Sequence, residues 1–195
     1  MPFWSTNFGQ DATLKDPKRK HRFTVEFQGI NAAQGGALLW YAKTATKPGF
    51  TINAAEHKYL GHTFYYPGNV TWDPVTVTLV DPVDPDVTAT FSDIVVAGGY
   101  TPPTDANALG TVSKAKATGA LGNVLITQLD GDGNPVETWT LWNAFIMSVK
   151  QDDLDYTSDD LSTTTVELRF DWARVETLNN SSAVNGSGGN EFFRA

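Results

Sequence analysis

The sequence contains no cysteine, which removes disulfide cross-links, thiolate metal sites and cysteine nucleophiles together. Stability must therefore come from packing or from association. No run approaches the ~20 apolar residues that span a bilayer, and the N-terminal stretch MPFWSTNFGQDATLKDPKRKHR has no apolar segment followed by a small-residue cleavage site. These absences lead us to expect a soluble protein, made in the cytoplasm and without membrane contact. Positive charge is also scarce: 14 Lys and Arg stand against 22 Asp and Glu, for a formal charge of −8. Tight nucleic-acid binding needs cations to displace phosphate counterions, so this balance argues against it, while leaving a surface that nucleic acid can slide past.

What is present is strand patterning. At 195 residues the chain suits a single domain. Its clearest signal is TTTVELRFDWA, where Val166, Leu168, Phe170 and Trp172 alternate with Thr165, Glu167, Arg169 and Asp171. That period of two marks a strand with one buried face. The preceding VETWTLWNAFIMSV places Trp139, Leu141, Phe145 and Met147 on one face and Trp142, Ala144 and Ile146 on the other, so both faces need cover. Val136–Ala173 thus reads as two long strands joined by an acidic loop.

Other strands are expected at RFTVEFQGI, at ALLWYAKTATK (37–47) and at VTWDPVTVTLVDP (70–82), where Pro74 predicts a bulge or an edge. Asp130-Gly131-Asp132-Gly133-Asn134 is turn chemistry joining strands at 123–130 and 135–148. One amphipathic helix is expected over about 85–98, with Asp84 as its N-cap, Pro85 at its first position and Gly98-Gly99 as its stop. Residues 100–122 read as a loop with at most a short helical turn. The fold class is mainly β: an antiparallel sandwich or barrel with one flanking helix. Within the single domain, 1–17 reads as an N-terminal arm, 18–173 as the β core and 174–195 as a C-terminal extension of linker composition.

Chemistry is hard to find in this chain. Asp130, Asp132 and Asn134 begin like an EF-hand loop, but Pro135 stands where its glycine belongs and Leu141 where its closing glutamate belongs. Glu56, His57 and His62 lack the H-E-x-x-H spacing of a zinc site. Asp152, Asp153, Asp155, Asp159 and Asp160 read as a solvated connection, with glycosidase carboxylates as a distant rival. The basic run Lys18–Arg22 reads as a solvated edge or salt-bridge surface. We expect no catalytic residue, cofactor or metal. The functional signal is instead the aromatic-rich stretch of 47–68, with Phe50, Tyr59, Phe64, Tyr65 and Tyr66, and the aromatic termini, with Phe3, Trp4, Phe192 and Phe193. Large apolar side chains spread around a soluble chain mark contacts with several neighbouring subunits.

Five segments in order carry a family resemblance: DPKRKHRF (16–23), WYAKTATKPGFTI (40–52), HKYLGHTFYYPGNVTWDPVTVTLVDPVDPD (57–86), the block from Ser113 to Lys150, and DLDYTSDDL…VELRFDWA (153–173). Together they resemble the tail tube proteins of contractile-tailed bacteriophages over roughly residues 15–173. The resemblance implies hexameric rings that close through a shared inner β-barrel and stack into a hollow tube inside a contractile sheath. It also implies a virion protein assembled in the host cytoplasm. Its partners would be further copies of itself, the tail sheath protein, and the baseplate and tail-terminator proteins, with DNA passing and not specifically bound. On that basis Phe3, Trp4, Phe50, Tyr59, Phe64, Tyr65, Tyr66, Phe192 and Phe193 are expected at subunit contacts. Thr165, Glu167, Arg169 and Asp171 are expected to face the lumen or a seam. Two other readings stand beside it: a tube subunit of a related contractile secretion or injection machine, and a carbohydrate-binding β-sandwich using Trp40, Tyr41, Trp72 and Trp142 as stacking platforms.

Overall fold

Alternating residues set the faces of two sheets. The computed structural model describes residues 17–30, 42–84, 86–104, 109–177 and 191–193. In chain order the described elements are β1 (Phe23–Phe27), β2 (Ala42–Ala45), β3 (Phe50–Tyr59), β4 (His62–Trp72), β5 (Val75–Val80), α1 (Val87–Ala97), α2 (Lys114–Leu121), β6 (Val124–Leu129), β7 (Pro135–Trp142), β8 (Phe145–Gln151), β9 (Thr163–Arg169), β10 (Trp172–Thr177) and β11 (Glu191–Phe192). All described pairings are antiparallel. The strands form a five-stranded sheet in the order β1-β6-β7-β10-β11, a four-stranded sheet in the order β2-β5-β9-β8, and the separate hairpin β3-β4.

The core lies between the two larger sheets. Val25, Phe27, Val124, Ile126, Leu141 and Ala173 come from the five-stranded sheet, and Val75, Val77, Leu79, Val166 and Leu168 from the four-stranded one. Helix α1 adds Val87 and Phe91, whose ring meets Phe27 edge-on at 5.8 Å. The opposite face of the four-stranded sheet is polar, because Thr76, Thr78, Thr165 and Glu167 occupy the alternate positions.

The two long strands expected from Val136 to Ala173 are in fact four. β7 pairs with β10 in one sheet, β8 pairs with β9 in the other, and the ribbon crosses between sheets at 143–144 and 170–171. Asn143 turns the first crossing with φ 54, a left-handed conformation that asparagine tolerates better than most residues. Asp171 donates its backbone N–H to the Trp142 carbonyl at 3.1 Å and accepts from Asn143 Nδ2 at 2.8 Å and from Lys114 Nζ, which pins the two crossings together. The crossing shifts the alternation by one. Val166, Leu168 and Phe170 are buried as expected, but Trp172 is 37% exposed, and Ala173 and Val175 take the inward places. Trp172 stacks instead on Trp142. Met147, expected beside Leu141, is half exposed at an irregularity between Ile146 and Ser148.

Two further expectations need correction. Helix α1 is capped by Asp86, whose side chain accepts from the Ala89 N–H at 2.8 Å, and not by Asp84. The deciding partner is Asp81, which accepts from Val87 N and Thr88 Oγ1 and fixes the first turn; Pro85 lies outside the described residues. A second helix, α2, occupies what reads as loop. Its only buried residue is Leu121, so it carries no apolar stripe to betray it. It ends where Gly122, at φ 69, passes Gly29: a Cβ on Gly122 would lie 2.4 Å from Gly29 N, and one on Gly29 would lie 2.4 Å from the Ala120 carbonyl. Only glycine fits this crossing.

Candidate functional site

Among the described residues no group of three or more His, Asp or Glu is placed to hold a metal ion; what the structure offers is surface for association. The largest is the β3-β4 hairpin. The aromatic-rich stretch of 47–68 folds, from Phe50 on, into a long two-stranded ladder from Phe50↔Trp72 to Tyr59↔His62. Leu60 and Gly61, both with positive φ, close its tip as a two-residue turn. Gly68 and Asn69 together oppose Asn53 at a bulge, and a Cβ on Gly68 would lie 2.9 Å from the Asn53 carbonyl.

Every residue of β3 is exposed, as is all of β4 up to Thr71. Alternation puts Tyr59, Phe64 and Tyr66 on one face with His57 and His62, and Phe50 and Tyr65 on the other with Glu56. Glu56 therefore stands across the ladder from both histidines. An isolated two-stranded hairpin is marginal in water, and this one leaves Phe64, Tyr65, Tyr66, Ile52 and Val70 about half exposed.

The hairpin's root is ordered. Asp73 N donates to the Gly49 carbonyl at 2.9 Å, and Thr46 and Thr76 bond reciprocally beside it. Asp73-Pro74 divides the strand expected over 70–82 into β4 and β5. Inside the root, Trp72 touches Phe50 at 5.3 Å, Phe170 at 5.9 Å and Phe193 at 5.3 Å, and Phe50 touches Phe193 at 5.5 Å. Phe192 belongs to β11, paired with Val175. Phe3 and Trp4, expected at contacts, and Trp40 and Tyr41 lie outside the described residues.

Lys47, three residues before β3, reaches across the body to the buried Glu137 at 2.6 Å and to Gln128 Oε1 at 2.7 Å. Lys18, of the basic run, and Trp139 Nε1 also donate to Glu137. Burial would raise the Glu137 pKa; the bonds from Lys18, Lys47 and Trp139 outweigh it and hold the carboxyl at about 2. This charge cluster, undetected in the sequence, ties the strand leading to the hairpin onto the five-stranded sheet.

The second surface is the outward face of the four-stranded sheet. Thr165, Glu167 and Arg169 lie on it, flanked by Thr76 and Thr78 on β5 and by Ser148 and Lys150 on β8. Asp171 lies beyond the end of β9, held at the crossing by Lys114 and Asn143, whose hydrogen bonds lower its pKa. The edges of this sheet, β2 and β8, have no further strand beside them among the described residues.

Three of the acidic candidates make local backbone contacts. Asp130 accepts from the N–H groups of Asn134 and Asp132, which lowers its pKa and makes a tight turn between β6 and β7. Asp152 accepts from Thr163 N and Asp155 from Thr157 N, bonds that shape the loop between β8 and β9.

The comparisons with known proteins agree with this architecture. The family model for T4-like virus tail tube protein gp19 matches residues 19–173. The chain belongs to that family. It is therefore a structural subunit of a tail tube, a component of a contractile tail. No helix among the described residues of this tail tube protein is long and apolar enough to cross a membrane. Its fold is similar to a chain in the cryo-EM structure of the anti-feeding prophage baseplate, with TM-score 0.61 and 19% identity over 85% of this chain and 99% of that one. It is also similar to a chain of the anti-feeding prophage tube-terminating cap, with TM-score 0.61 and 17% identity over 86% and 96% of the two chains. A third likeness is to a chain of the sheath-tube complex of an extracellular contractile injection system in its extended state, with TM-score 0.58 and 17% identity over 83% and 93%. A search of the curated proteins finds no match.

Proposed function

We propose that six copies of this tube subunit close into a ring through the four-stranded sheet, and that rings stack through the β3-β4 hairpin into a conduit for DNA. The observation that carries the reading is the pair of open edges on a sheet of even strand number. Because β2, β5, β9 and β8 alternate in direction, β2 and β8 run oppositely. Copies related by rotation about a common axis can then continue the antiparallel ladder from β8 of one to β2 of the next, which removes both edges of this sheet at once. Six four-stranded sheets at about 4.8 Å per strand give a wall roughly 37 Å across before tilt, and a threonine-sized lining leaves on the order of 25 Å. That width admits a nucleic-acid duplex.

On this reading Thr165, Glu167 and Arg169 line the channel with Thr76 and Thr78, and Asp171 stays at the crossing. Lys150 and Arg169 outnumber Glu167 on this face by one charge per subunit, so the low adhesion of the wall has to come from its small hydroxyls and the acidity of the rest of the chain. Sheath, baseplate and terminator proteins are its partners, in keeping with the assemblies in which its structural relatives were seen. It catalyses no reaction. The same geometry serves an injection machine carrying protein, and only the cargo separates the two.

Negative-stain imaging of purified protein tests the ring: six-fold rings or tubes are expected, and a monomer at every concentration and salt would sink it. Replacing 53–69 by Asn-Gly, which keeps the Ile52↔Val70 pair, should leave rings that cannot stack. Since the chain has no cysteine, Thr165→Cys is a unique label. It should react with a bulky maleimide in free subunits and be shielded in sealed tubes.

A further inference from the structure

The C-terminal segment contributes contacts that the family match does not include. That match ends at Ala173, yet β10 continues to Thr177 and β11 returns to pair with it through Val175↔Phe192 and Glu176↔Glu191. Arg174 ion-pairs with Glu191 across these strands and approaches Glu176 at 3.5 Å. The next residue, Phe193, enters the root of the hairpin, edge-on to both Phe50 and Trp72. Phe193 has φ 61, a left-handed backbone conformation costly for a residue with a Cβ, so its place is held by what the ring touches.

Phe50 and Trp72 are the first pair of the hairpin ladder. Beyond them β3 and β4 contact chiefly each other. The direction in which the hairpin leaves the body is therefore decided at this pair. Trp72 is braced from the body by Phe170, and Phe193 lies against both members of the pair.

We propose that Glu191–Phe193 form a clasp that fixes the projection of the β3-β4 hairpin, so that the free subunit presents it already aimed at a second copy. Fixing the hairpin before docking removes its ordering cost from the stacking step. The aiming is a property of the single chain; its effect on stacking rests on the function proposed above.

The test separates those two levels. In the full chain, Phe193→Ser and, separately, deletion of 191–195 should raise amide hydrogen exchange at Thr51 and Thr71, the hydrogen-bonded pair next to the root, by roughly tenfold in unassembled protein, the order expected for two lost edge-to-face ring contacts. Amides of Val77 and Val166 should keep their protection, which shows that the body still folds. Phe193→Leu should restore part of the effect. The concentration at which tubes form, followed by pelleting, should rise by roughly the same factor. Unchanged exchange at Thr51 and Thr71 overturns the clasp. Faster exchange with an unchanged assembly threshold overturns its role in stacking. Should the unaltered chain form no tubes at all, the function proposed above fails, while the exchange result still decides the clasp.

Discussion

The sandwich body and the β3-β4 hairpin are built from similar residues and reach opposite ends. In β5 and β9 the apolar side chains occupy alternate positions, and Val75, Val77, Leu79, Val166 and Leu168 are all fully buried by a second sheet. In the hairpin, aromatic and aliphatic residues occur on both faces, and no described element covers either one. The body completes its own core; the hairpin keeps an apolar surface that the described residues leave open beyond its root. Apolar content alone does not distinguish these outcomes. The presence of a second layer from the same chain does.

The largest effect should come from the body. Phe91→Ala empties a core position that is 1% exposed and touches Phe27, so urea unfolding should lose about 3–5 kcal/mol. A smaller loss would show that α1 can collapse onto the sheets.

Next is the link between body and hairpin. Glu137 has a folded value of about 2 against an ordinary 4.5, so its contribution is complete above pH ~5 and disappears as the pH falls towards 2. Because Lys18 and Lys47 are each nearly half exposed, we expect on the order of 2 kcal/mol. Glu137→Gln should lose it at neutral pH and flatten the acid limb of a stability-pH profile. An unchanged limb would place the acid sensitivity elsewhere.

The Asp86→Ala change should cost about 1 kcal/mol through the lost α1 cap, measured by thermal unfolding. A gain is expected at Thr164, fully buried, whose hydroxyl finds no partner among the described residues. Thr164→Val should stabilise by about 1 kcal/mol.

The smallest stability effect should be in the hairpin. Tyr59, Phe64 and Tyr66 changed together to Ser should shift unfolding by less than about 0.5 kcal/mol, while tube formation fails in a pelleting assay. A loss as large as that of Phe91→Ala would erase the contrast between the two regions.

Alternation made the antiparallel class, the β6-β7 turn and the buried face of β9 legible in the sequence, because a period of two at Val166, Leu168 and Phe170 has one structural meaning. It failed at Trp172, where the chain changes sheets and the phase slips by one residue; a local pattern holds no record of such a crossing. The hairpin carries no clean alternation because burial is what writes it into a strand, and among the described residues little beyond the root buries it. Helix α2 escaped for the same reason. The aromatic residues of 50–66 were legible as contact candidates, whereas the Glu137 cluster brings together residues 18, 47, 128 and 137 from separate elements and has no local signature.

The double crossing at 143–144 and 170–171 also has a mechanical meaning. Two polypeptide backbones run side by side from the four-stranded sheet into the five-stranded one, clipped together by Asp171 and Asn143. If the four-stranded sheet forms the inner wall as proposed, tension on it would be carried outward through covalent bonds in two antiparallel segments, where side-chain packing alone would have to resist it contact by contact. A subunit pulled in this way would then yield by shearing a paired ribbon before one sheet could peel off the other.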